Sequence, residues 1–173
     1  MMLKFASTLT GVKVKNDDGN TVVTIKKESV FSPTKLISTN NEILYHTSII
    51  DFEAAKDSWN RAANRKYILY DKSDPYISAD LIFAKDAGHL GRINPPQVER
   101  LILKTPFGEW EAERQTDYSV LITDCSKVIG KITPFYKIAP QIFACSDEYP
   151  AAMWAGVYVL VDYMMHEDEL ISV

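Results

Sequence analysis

The C-terminal segment PAAMWAGVYVLVDYMMHEDELISV, which begins at Pro150, constrains the fold more than any other part of the sequence. From Ala151 to Met165 it is apolar on every side of a helix, with Asp162 as the one carboxylate inside the run. A helix from Pro150 to about Met165 would be roughly 24 Å long, which is short of the roughly 30 Å hydrocarbon core of a bilayer. Asp162 further opposes membrane insertion. Since a helix that is apolar all round must be buried all round, the segment predicts a helix enclosed by protein, not a transmembrane span.

The same residues leave a strand open as an alternative. GVYVLVDY is rich in β-branched and aromatic residues, and Gly156 costs a helix about 1 kcal/mol relative to Ala. Pro150 suits the start of a helix, and Ser146 and Asp147 stand before it as candidate caps. We favour the helix.

Composition indicates one globular domain over residues 1–173. The chain is 46% hydrophobic and 24% charged, with a net charge of -4. This charge gives no general attraction to nucleic acid or to anionic membranes, so such binding would need a local basic patch. Two cysteines without a C-x-x-C motif predict free thiols. The N-terminal residues lack the pattern of a signal peptide, and we expect a cytoplasmic location.

Most of the remaining sequence has a β pattern. VKVKNDDGNTVVTI predicts a hairpin with Asp18-Gly19 in the two central turn positions, both at positive φ. This register pairs Val14 with Val23. Two further strand patterns are YISADLIFA, which alternates in polarity, and YSVLITDCSKVIGKIT, a hairpin that turns at Asp124 to Lys127. Several short strands separated by turns favour a sandwich or a barrel.

One segment near residues 51–65 differs from the β pattern. DFEAAKDSWNRAANRK predicts an amphipathic surface helix, with Asp51 as a candidate cap. Its apolar residues recur at helical spacing: Phe52, Ala55, Trp59, Ala62 and Ala63.

A β-rich chain that ends in VIGKITPFYKIAPQIFACSDEYPAAMWAGVYVLVDYMMHEDEL resembles the tubby C-terminal-like superfamily, which includes the LURP-one-related proteins and the phospholipid scramblases. The resemblance is clearest from about residue 118 to residue 173. It implies a closed antiparallel barrel of about a dozen strands filled by a C-terminal hydrophobic helix. The helix residues implied to touch the barrel wall are Trp154, Val157, Leu160, Val161 and Met164. For function it implies binding at membrane lipids or regulation. The basic phosphoinositide site of the tubby proteins has no residue-by-residue match here.

Three glutamates, Glu109, Glu111 and Glu113, have the spacing of a carboxylate cluster. However, RLILKTPFGEWEAER also predicts a hairpin that turns at residues 105–108. In that register Lys104 faces Glu109 and Arg100 faces Glu113, so cross-strand charge pairing explains the glutamates.

No residues form a recognisable metal, cofactor or nucleophile motif. The three histidines are dispersed, and neither cysteine has an adjacent base, so we expect neither a metal nor a cofactor. Asp162 has a structural interpretation, in which it meets backbone N–H groups or emerges at the barrel mouth, and a functional one.

The basic residues Arg61, Arg65 and Lys66 are the candidate site for an anion or a lipid headgroup, and a solvated helix end is the alternative. The sequence therefore predicts a non-enzymatic cytoplasmic binding or regulatory module, peripheral to the membrane. Its expected partner is an anionic phospholipid or a protein, and not nucleic acid. The alternative is a small-ligand-binding barrel or a hydrolase with a cavity beside the central helix.

Overall fold

A computed structural model describes residues 1–30, 32–50, 65–83, 98–135 and 140–166 of the chain. In these residues twelve antiparallel strands and one helix are present, and every strand pairs with its neighbours in sequence. Pairing of the first strand with the last closes the barrel. The strands are β1 (Met2–Thr8), β2 (Gly11–Lys15), β3 (Thr21–Lys27), β4 (Lys35–Thr39), β5 (Glu42–Ile50), β6 (Lys66–Asp71), β7 (Asp74–Phe83), β8 (Val98–Thr105), β9 (Gly108–Arg114), β10 (Val120–Asp124), β11 (Lys127–Ile132) and β12 (Gln141–Cys145).

The helix α1 (Ala151–Met165) lies in the core of this barrel, as predicted. Twelve of its fifteen residues are buried, among them the five that were expected to touch the wall. The strand alternative for GVYVLVDY is therefore wrong. Gly156 explains how closely helix and wall approach: a Cβ built on it would lie 2.4 Å from Cδ2 of Leu69 in β6.

The expected helix cap is also wrong. Pro150 is the N-cap residue in an extended conformation, and no side chain caps the first turn. The carbonyl of Ser146 instead accepts a hydrogen bond of 3.0 Å from the indole Nε1 of Trp154. Ser146 therefore positions the buried indole of Trp154 through its backbone carbonyl and does not cap the amides of the first helical turn.

At the other end of α1, a chain of hydrogen bonds ties the helix to the wall. The amide of Lys35 donates to Thr47 Oγ1 over 2.9 Å, and that hydroxyl lies 2.6 Å from Tyr163 Oη. The Tyr163 hydroxyl donates to the carbonyl of Pro33. Thr47 must then donate to Tyr163, and each buried hydroxyl has a partner.

The hairpin registers were predicted correctly, but the first turn was not. Val14 pairs with Val23 as expected, with a bulge between Val14 and Lys15. Gly19 has a φ of 81°, whereas Asp18 does not adopt positive φ. Asn16 builds a longer turn, because its carbonyl accepts from the amide of Gly19 and its side chain accepts from the amide of Asn20.

The β8–β9 register is also as predicted, with Lys104 opposite Glu109 and Arg100 opposite Glu113. The ion pairs nevertheless follow other neighbours. Arg100 pairs with Glu111, the diagonal residue on the same face, and Lys104 Nζ lies 2.6 Å from Asp80 in β7. Long side chains reach diagonal neighbours and the next strand as readily as the residue directly opposite.

Two other predictions have different outcomes. The β10–β11 hairpin turns between Asp124 and Lys127, as expected. The surface helix predicted near residues 51–65 lies outside the described residues, apart from Arg65, which directly precedes β6.

The close packing of Gly156 against Leu69 predicts that the effect of Gly156→Ala on stability changes sign when the side chain of Leu69 is shortened. Gly156→Ala should lower the free energy of unfolding by about 1–2 kcal/mol, because overpacking outweighs the helix propensity of Ala. In a Leu69→Ala background, where the wall has room, the same change should stabilise by up to about 1 kcal/mol. Urea denaturation of the four proteins measures both effects. Equal effects of Gly156→Ala in both backgrounds would contradict a packing limit at this position.

Burial of Tyr158 predicts a loss of stability at alkaline pH. Its ring stacks on Phe5, with 3.7 Å between the centroids, and burial followed by the nearby Asp162 charge raises its pKa. The folded protein holds the Tyr158 proton more tightly than the unfolded chain does. The resulting contribution to stability is fully present below the unfolded pKa near 10 and is lost as the pH rises above it. Between pH 8 and pH 11, Tyr158→Phe should therefore lose less stability than wild type, by on the order of 1 kcal/mol. An unchanged decline in the variant would contradict this account.

Candidate anion-binding surface

Charge is divided unevenly around the barrel. Five adjacent strands, β11, β12, β1, β2 and β3, contain seven lysines and no carboxylate. The other seven strands, β4 to β10, contain nine carboxylates and five basic residues. The chain as a whole is acidic, so this segregation creates one basic sector on a negatively charged protein.

Strand alternation points five of these lysines outward. Lys4, for example, lies between Leu3 and Phe5, which are both buried in the core. We call this set the lysine face; it consists of Lys4, Lys13, Lys15, Lys26 and Lys131. Among the described residues, none of the five has a carboxylate within ion-pair distance.

One pair of residues on the lysine face places two like charges opposite each other, which is unusual in a sheet. Lys4 lies directly opposite Lys15 across β1 and β2. Like charges opposite each other destabilise a sheet. Departures of this kind from local rules are found at functional sites, where binding compensates for the cost.

Apolar side chains are exposed beside the lysines. Met2 is 54% exposed, Val128 is 55% exposed and Ile142 is 39% exposed. Met2 faces Ala144, and Ile142 faces Lys4, across the β1–β12 pair. The surface thus combines cations with apolar side chains that are partly exposed to solvent.

A shallow, open cleft of about 620 Å³ lies on the same sector, between β11, β12, β1 and the β2–β3 turn. Its charged residues are Lys127, Lys131 and Asp17, together with Met1, whose N-terminal ammonium donates to the carbonyl of Cys145 and pairs with Asp147. Asp17 is held toward β1, because its Oδ2 accepts a hydrogen bond of 3.2 Å from the amide of Met2. The cleft therefore presents two lysines on one side and a carboxylate on the other, and its third cation, the Met1 ammonium, is already paired with Asp147.

Cys145 lies in the wall of the cleft but is buried. Burial raises the pKa of its thiol to about 12. Its Sγ lies 3.9 Å from the carbonyl oxygen of Met1. The thiol is therefore a packing group and not a nucleophile at neutral pH.

The structure does not gather the predicted basic set into one exposed cluster of described residues. Arg61 lies outside the described residues, and Arg65 is only 5% exposed. Lys66 belongs to β6, where its Nζ lies 2.9 Å from Asp80. Hydrogen bonds from Lys104 and then Lys66 hold the pKa of Asp80 below its usual range. Anion or lipid binding by this set stays a prediction.

Asp162 lies in the last turn of α1 and is partly exposed, as a position near the barrel mouth would require. Its side chain is 33% exposed, and its Oδ1 lies 3.1 Å from Nδ1 of His166. Its charge also raises the pKa of the Lys35 ammonium, although burial lowers that pKa more strongly. Within the described part of the chain, no group of three histidine, cysteine or acidic side chains is placed to hold a metal.

The architecture is that of a closed β-barrel with a helix as its core. Comparison with protein-family models, with curated proteins and with solved structures found no match for this chain. Over the residues that the structure covers, none of the helical segments has both the length and the apolar character needed to cross a bilayer.

The two cysteines predict a difference in thiol reactivity. Cys125 is exposed in the β10–β11 turn, whereas Cys145 is buried and burial raises its pKa to about 12, so very little of it is thiolate at pH 8. One equivalent of thiol per chain should therefore react with iodoacetamide in the native protein, and the second only after unfolding. Native Cys125→Ser should remain unlabelled over the same period. Labelling of Cys145 at the rate of Cys125 would contradict its burial.

Proposed function

We propose that this chain is a non-enzymatic binding module that docks on anionic phospholipid surfaces through the lysine face. The observation that carries the proposal is the segregation of charge, with seven lysines and no carboxylate on five adjacent strands. A lysine close to an anionic membrane contributes about 1 kcal/mol to binding. Exposed Met2, Val128 and Ile142 add apolar groups that can enter the interfacial region of a bilayer.

The core of the barrel supports a function on its outer surface. The helix is buried on all sides and its Gly156 is packed tightly against Leu69, so the wall and the helix are in contact at this level. A small-ligand barrel or a hydrolase would instead need a cavity beside the helix. Sequence resemblance to the tubby-like superfamily and the barrel with a central helix agree with a lipid-binding module, and that family assignment remains part of the proposal.

The lysine face predicts binding that depends on charge and on location. The protein should co-sediment with phosphatidylglycerol vesicles and not with phosphatidylcholine vesicles, and raising the salt concentration should weaken binding. The triple variant Lys4→Gln, Lys13→Gln and Lys26→Gln should lose about 100-fold in affinity, since three contacts of about 1 kcal/mol are removed.

A matched control removes the same charge from the acidic sector. Lys66→Gln, Arg100→Gln and Lys104→Gln break ion pairs at partly exposed positions of the sheet surface, where Gln can still donate a hydrogen bond, so the fold should be retained. Vesicle binding by this variant should stay close to wild type. If it loses as much affinity as the first variant, the net charge and not the lysine face controls binding. If wild type binds neither type of vesicle, the proposed function is wrong.

A further inference from the structure

The cleft beside the lysine face has features that a uniform basic surface lacks. Lys127 and Lys131 extend from β11, and Asp17 from the β2–β3 turn, with β12 and β1 between them. Neighbouring strands lie about 4.8 Å apart, so β11 and β2 are separated by roughly 14 Å. Both signs of charge therefore line one cleft from opposite sides.

Small residues form the floor of this cleft. Gly130, Ala144, Cys145 and Ser146 line it, and none of them has a side chain that would fill it. The Cβ direction of Gly130 is into the core, where a Cβ would lie 2.8 Å from the ring of Phe143, so this glycine serves the packing of the barrel interior. The outward position of β12 at this level is Ala144, which lies between Lys131 and Met2 in the register and has only a methyl group.

Apolar side chains accompany the charged ones. Met2 and Val128 line the cleft, and both are more than half exposed. A ligand that places charged groups in the cleft and hydrocarbon against Met2 and Val128 would match the opposite charges, the small lining residues and the exposed apolar side chains. A phospholipid headgroup with its attached glycerol and acyl chains has this character.

We infer that the cleft binds the headgroup of phosphatidylserine, in which a primary ammonium group with N–H donors is attached to the phosphodiester; the quaternary ammonium of phosphatidylcholine has no N–H to donate to Asp17. The phosphate is placed toward Lys127 and Lys131, as charge-assisted hydrogen bonding favours. The ammonium is placed toward Asp17, whose Oδ2 is already oriented by the amide of Met2. This inference rests on the proposed function and adds selectivity between lipids of equal charge.

The test compares vesicles in which phosphatidylserine or phosphatidylglycerol is present at the same mole fraction in phosphatidylcholine. Each of these two lipids carries one net negative charge, so the surface potentials match and the lysine face alone predicts equal binding. The cleft predicts tighter binding to phosphatidylserine, by about tenfold for one additional charge-assisted contact.

Substitution of Asp17 tests the assigned contact. Asp17→Asn keeps an oxygen for the amide of Met2 and should remove the preference for phosphatidylserine while preserving binding to phosphatidylglycerol. Asp18→Asn is the matched control, because Asp18 belongs to the same turn, is exposed and does not line the cleft. It changes the charge equally and should retain the preference.

The outcomes separate the two proposals. Equal binding of wild type to both anionic lipids would overturn the headgroup inference and leave the proposed membrane docking in place. A preference that survives Asp17→Asn, or that Asp18→Asn removes to the same extent, would also overturn the assignment to the cleft. Failure to bind either vesicle would overturn the proposed function and this inference together.

Discussion

Enclosure of an apolar helix by a closed sheet is the constraint on which the rest of the structure depends. The helix has no polar side to expose to water, and a barrel of twelve strands is wider than strand side chains alone fill, since about eight strands suffice for that. Each element therefore requires the other. Gly156 sets the distance between helix and wall. The hydrogen bonds that join Tyr163 to Thr47 and Pro33 fix the C-terminal part of the helix. Together these contacts define both the depth and the rotation of the helix.

Inward and outward positions of the strands are under different constraints. Inward positions of the strands must pack against the helix, whereas outward positions such as Lys4 and Lys131 are free of that demand. Stability alone would favour alternating charges on these positions, as in the ion pairs of Asp80 with Lys66 and Lys104. The basic sector departs from that arrangement over five strands. Because direct opposition of Lys4 and Lys15 lowers sheet stability, a role in binding anions accounts for it better than a role in folding does.

Sequence patterns predicted the features that depend on residues close together in the chain. Uniform apolarity identified the helix, and alternation with turn residues identified the hairpin registers, including Val14 with Val23. The lysine face was not predicted, because it depends on closure of the barrel between β1 and β12, which joins residues more than a hundred positions apart. Lysines at alternate positions in VKVK and on either side of the β1–β2 turn were the available signal. Ion pairs were mispredicted for a related reason: the register fixes the backbone, while side-chain reach selects diagonal partners such as Glu111 for Arg100.

Net charge and membrane attraction are compatible if distance is taken into account. A protein of charge -4 is repelled as a whole by an anionic surface, but each charge acts only within about one Debye length, near 8 Å at physiological salt. Twelve strands spaced about 4.8 Å apart and tilted about 40° enclose a barrel roughly 20–25 Å across. With the lysine face against the membrane, most carboxylates of β4 to β10 lie beyond the screening distance, and the lysines lie within it. The same geometry would place the barrel on its side, with the cleft between β11 and the β2–β3 turn open toward the headgroups and the acidic sector toward solvent.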